Sequence, residues 1–117
     1  GGNVKRAIRN AKIEQETGDL EIMELKLSLG NQLTISYELY KIRKQLYDVS
    51  EVNLESARLN LEISTDKFRS GAINSFNYRD VQVIYLRAAI QRLGAVYNLI
   101  DTYTELLRLT GGIISEY

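Results

Sequence analysis

Carboxylates carry whatever chemistry this chain can do. Its 117 residues include no His and no Cys, which removes Ser/His and Cys/His nucleophile pairs, disulfides and the usual structural zinc sites. Fifteen Asp and Glu remain as metal ligands or acid–base groups. Helical di-metal sites join Glu to a His three residues on, and catalysis needs titratable groups that converge in a pocket. Here Glu51, Glu55 and Glu62 fall among Lys41, Lys44 and Arg58 at spacings that suit a solvated helix face. The expectation is a chain with no turnover and no cofactor. Asp80 stands apart from these acids, just beyond the strongest turn signal in the chain, with Asn77 three residues before it.

Overall charge narrows the partners. Fifteen Lys and Arg balance the fifteen acids, so no electrostatic surplus drives phosphate binding, and nucleic acid is not an expected partner. Absence of thiols leaves the redox compartment open. These residues hold no basic-then-apolar leader and no uninterrupted apolar run. Because the chain begins on Gly, it reads as a processed product or a piece of something longer.

Positioning falls to helices. With no Pro in the chain, very long helices are tolerated and many short strands are disfavoured. The clearest break is Ser70-Gly71, where Gly can take the left-handed conformation that ends a helix, followed by Asn74 and Ser75 as caps for the next. Gly30-Asn31 is a possible bend, and Gly111-Gly112 a possible stop. The expected fold is all-α: a long antiparallel helical hairpin, with a first arm over about 3–67, roughly 95 Å long, and a return arm over about 75–110. The first arm then overhangs, and Ile8, Ile22, Leu25 and Leu29 in it lack a partner within a simple hairpin. It folds back at Gly30 into a bundle or stays straight and associates; association is the favoured expectation.

Periodicity is the most informative feature. Leu33, Tyr40, Tyr47, Leu54, Leu61 and Phe68 recur every seven residues and form one seam. A second seam runs through Ile35, Leu39, Ile42, Leu46 and Val49, then turns polar at Asn53, Ser56 and Asn60 before Ile63. The return arm repeats this design, with Val83, Leu86, Ile90, Leu93, Tyr97, Ile100 and Leu107 on one stripe and Val81, Tyr85, Ala88, Ala95, Leu99 and Leu106 on the other. A two-helix coiled coil needs one seam per helix, so two offset seams predict neighbours on two sides, in a sheet-like or barrel-like array. An ordinary three- or four-helix bundle is the competing reading.

The turn and its flanks carry a resemblance. Phe68, Gly71, Asn77 with Asp80, Ala88, Tyr97 and Leu106-Leu-Arg-Leu-Thr-Gly111, preceded by Asn53-Leu54-Glu55 and Ala57, occur in an order and spacing that resembles the TolC-like outer membrane efflux protein family. The likeness spans essentially the whole chain. It implies that residues 1–117 are a single helical-hairpin fragment of a larger outer membrane channel protein, from its second repeat, lying in the periplasm. The parent would be a homotrimer forming a helical tunnel continuous with a membrane barrel whose strands are absent here.

By the same resemblance the turn is the periplasmic tip. Ser70, Gly71, Ala72, Ile73 and Asn74 would form the docking site for the periplasmic adaptor of an inner-membrane pump. Asp80 would sit at the tunnel aperture, and Asn77 stands where a second aperture acid is common. A ring of Asp80 carboxylates would favour cations in a narrow passage; alternatively Asp80 serves the positive end of the return helix. Phe68 and Phe76 are expected to form a packing clasp across the turn. A freestanding coiled-coil module, such as an adaptor hairpin or a scaffold, is the alternative.

Overall fold

The computed structural model describes the backbone of residues 1–115 and the side chains of residues 1–111. Two helices account for nearly all of it: α1 (Gly2–Arg69) and α2 (Ser75–Ser115), joined by five residues into an antiparallel hairpin. At about 1.5 Å per residue the 68 residues of α1 give a straight rod of about 100 Å. The long axis of the molecule is 103 Å, so α1 takes no sharp bend. Gly30 lies inside the continuous helix, where Thr34 Oγ1 donates 3.0 Å to its carbonyl. A bend or fold-back at Gly30 is therefore not adopted, since one Gly costs a helix interior only about 1 kcal/mol. For the same reason α2 continues through Gly111 and Gly112, past the expected stop at 110.

One seam closes the hairpin. Between residues 33 and 64 the covered positions of α1 follow Leu33, Ser36, Tyr40, Arg43, Tyr47, Ser50, Leu54, Ala57, Leu61 and Ser64. Those of α2 follow Tyr78, Val81, Tyr85, Ala88, Arg92, Ala95, Leu99, Thr102, Leu106 and Leu109. Both series alternate steps of three and four, the heptad spacing of a coiled coil. Register is set by contacts across the seam: Glu51 with Arg92, Thr65 with Tyr78, Arg43 with Thr102, and Tyr40 with Tyr103. In that register bulky residues of one helix lie level with small ones of the other, as with Leu54 and Ala88 or Tyr85 and Ala57. Accordingly Ser50, Ala57, Ser64, Ala88 and Thr102, all small, are among the most deeply buried residues, at 8% exposure or less.

Arg43 enters this seam and is satisfied there. Its guanidinium donates to the Asn98 carbonyl at 3.1 Å and to Thr102 Oγ1 at 2.5 Å, and lies 3.7 Å from Asp101. Among the described residues no buried side-chain polar atom lacks a partner. The polar seam positions therefore carry no unmet desolvation cost.

Candidate functional site

Local backbone rules build the tip. Gly71 adopts φ +81°, and among the described residues no other has a positive φ. Its N–H donates 3.1 Å to the Phe68 carbonyl, and the Ala72 N–H donates 2.8 Å to the Lys67 carbonyl. This is the paired hydrogen-bond pattern of a Schellman helix end. Ser70 Oγ adds a 3.0 Å bond to the Lys67 carbonyl. Asn74 then caps α2, its Oδ1 accepting the Asn77 N–H at 2.8 Å. Gly71 and Asn74 thus act as expected, while Ser75 is already the first helical residue.

The expected clasp of Phe68 with Phe76 does not form. Phe68 stacks on Tyr78, centroids 4.7 Å apart and planes 5° apart, and Tyr78 Oη lies 3.0 Å from Thr65 Oγ1. Phe76 is 75% exposed. The reason is helical geometry: Tyr78 opens the covered heptad series of α2, whereas Phe76, two residues earlier, falls on another face. Ser70, Gly71, Ala72 and Asn74 are exposed and Ile73 is half-buried, so the connector presents mostly small, exposed residues.

Asn77 and Asp80 share one exposed face of α2 just above the connector. Asp80 is the sixth residue of the helix, and α2 has no acid in its first turn. The helix-end field falls off within that first turn, which weakens a purely capping role for Asp80. Among the described residues no salt bridge joins Asp80, Asp66, Arg69 or Arg79. No group of three or more potential metal ligands occurs among the described residues, and no helix there is long and apolar enough to cross a membrane.

The larger feature is what the hairpin leaves uncovered. Leu46 and Val49 of the second α1 seam border a groove with Asn53, Gln91, Gly94 and Asn98 on one face of the hairpin. Tyr103 and Leu107 of α2 border a groove with Thr34 and Tyr37 on the other face. Each helix therefore buries one apolar stripe inside the hairpin and leaves a second open, the two open stripes facing opposite ways. Ile35, Ile42, Leu46, Leu86, Leu93 and Ile100 are all more than half exposed. The total accessible surface, 9334 Å², compares with about 6,500 Å² for a compact monomer of this 13.4 kDa mass.

Residue spacing alone identified both stripes of each helix. It missed the small seam residues Ser36, Ser50 and Ser64, and the covered Arg43 and Arg92; their signal was the regular alternation of small or polar residues with Leu and Tyr. Compared with family models, curated proteins and solved structures, the chain shows no match to any of them.

Proposed function

We propose that this chain is the tunnel-forming periplasmic hairpin of an outer-membrane efflux or secretion duct, with the turn at Gly71 as its tip. The observation that carries this reading is the pair of open apolar stripes on opposite faces of a straight, 103 Å rod. A surface on α1 that differs from the one on α2 lends itself to side-by-side, head-to-tail packing of copies, which closes into a ring when the rotation allows. A freestanding coiled-coil module accounts for the closed seam but leaves both open stripes unexplained, so it stands second.

In this reading the hairpin turns nothing over. Ser70, Gly71, Ala72, Ile73 and Asn74 present the adaptor-docking tip, and Asp80 with Asn77 lines the aperture of a trimer. Unpaired and exposed, Asp80 is free to contribute to a ring of like charge that favours cations. The reading requires a longer parent carrying the membrane strands. The test is single-channel recording of that parent in planar bilayers. Cation-preferring conductance that loses its preference in Asp80→Asn supports the duct, and absence of any conductance overturns it.

A further inference from the structure

The overhang of α1 has an order of charges that the hairpin does not use. Lys5, Arg6, Arg9 and Lys12 come first with no acid among them; Glu14, Glu16, Asp19, Glu21 and Glu24 follow with no base among them. Within each block like charges sit on adjoining turns: Lys5 with Arg9, Arg9 with Lys12, Glu16 with Asp19, and Glu21 with Glu24. Such pairs repel at three- and four-residue spacing. The seven salt bridges among the described residues all lie between Glu38 and Arg108, and none engages the overhang. Apolar groups are open there too: Val4 is 60% exposed, Ile8 52%, Ile22 54% and Leu25 57%.

A helix of this length, self-repelling and with an uncovered apolar stripe, draws its stability from a partner. The order of its features states what the partner must be. Laid antiparallel against a second copy, about an axis near residues 13–15, the basic block of each chain meets the acidic block of the other. Val4 and Ile8 then approach Ile22 and Leu25, while Ala11 and Gly18 leave room near the middle. A parallel copy would instead bring base to base and acid to acid.

We propose that residues 4–25 form an isologous, antiparallel interface with a second copy of this chain. One two-fold axis satisfies both charge blocks and both ends of the apolar stripe, as an isologous patch requires. The interface lies at the end of the rod remote from Gly71, so the tip and both lateral stripes remain free. It rests on other observations than the duct reading and concerns the association of this chain by itself, since an antiparallel pair is not the arrangement of copies within a trimeric duct.

The test is light scattering of the chain over a range of concentrations at low and high salt, with circular dichroism to verify that helix content persists. The expected result is a dimer at low salt that dissociates as salt rises. Arg9→Glu with Lys12→Glu weakens self-association at least tenfold, and an equimolar mixture with Glu16→Lys, Asp19→Lys restores a heterodimer. Since the chain has no Cys, orientation is read directly by mixing an Ile8→Cys chain with an Ile22→Cys chain. The mixed disulfide forms fastest if the pairing is antiparallel, because a parallel pair holds these positions about 21 Å apart. A monomer at every concentration, association indifferent to the Arg9/Lys12 reversal, or homotypic disulfides outpacing the mixed one each overturns the proposal.

Discussion

Tyr78 lies flat on Phe68 across the hairpin turn, ring centroids 4.7 Å apart, with its hydroxyl 3.0 Å from Thr65 Oγ1. Three residues thus join the last turns of α1 to the first turn of α2. Tyr78→Ala removes both the stack and the hydrogen bond, and an aromatic pair contributes about 0.5–1.5 kcal/mol beyond its buried area. We expect a loss of about 2 kcal/mol in urea unfolding. Tyr78→Phe, which keeps the stack, should lose about 1 kcal/mol or less.

Gly71 requires its left-handed backbone, while the space around it is open: nothing lies within 4 Å of where a Cβ would stand. The cost of replacing it is thus conformational rather than steric crowding. Gly71→Ala should destabilise by about 1 kcal/mol and Gly71→Val by more, with Gly71→Asn the mildest. Thermal unfolding of the three variants checks this order, and an indifferent Val variant contradicts it.

Gly30 offers the opposite case. It sits in regular helix with open space around it, so Gly30→Ala should raise stability by roughly 0.5–1 kcal/mol. A loss on this substitution would mean that the first arm bends in solution. Scattering profiles of the two proteins provide the independent check, since a straight arm leaves the particle length unchanged.

Glu51 and Arg92 form the ion pair that crosses the middle of the hairpin. The Arg92 hydrogen bond, helped by one from Tyr47, holds the Glu51 carboxyl below its ordinary value of 4.5. A depressed folded-state value means that the unfolded chain takes up the proton first. The pair's contribution is therefore complete above 4.5, and is lost as pH falls below it through the folded-state value. Unfolding midpoints of wild type and Glu51→Gln should diverge at neutral pH and converge in acid. Parallel curves down to pH 3 would show that the pair contributes nothing. High salt should narrow the gap, because both side chains are about 40% exposed.

Asp80 and Asn74 separate the proposed aperture role from capping. Asn74→Ala removes the side-chain bond to the Asn77 N–H and should cost about 1 kcal/mol. Asp80→Asn, exposed and beyond the first turn, should stay within about 0.5 kcal/mol of wild type. A large stability loss in Asp80→Asn would assign the residue to the fold instead of the aperture.

The turn of the hairpin was legible in the residues because its causes are local, whereas the end of α2 was not, since the helix runs on through Gly111 and Gly112 to Ser115. A Gly in the left-handed region, an Asn cap and the absence of Pro act over one helical turn, so the break at Ser70-Gly71 and the start of α2 at Ser75 follow from sequence. Heptad spacing is equally local, and it revealed two apolar stripes on each helix. What it left open was which stripe closes the hairpin, since Ile35, Leu39, Ile42 and Leu46 are no less apolar than Leu33, Tyr40, Tyr47 and Leu54. Tertiary packing decided this through shape. Ser50, Ala57 and Ser64 on one helix, with Ala88 and Ala95 on the other, are small enough for the backbones to approach and for Leu and Tyr to lie over them, whereas the rival stripes offer bulk against bulk. It also decided that the ring on Phe68 comes from Tyr78 and not Phe76. Each of those outcomes depends on what the opposite helix presents at the same level, which no window along a single chain contains.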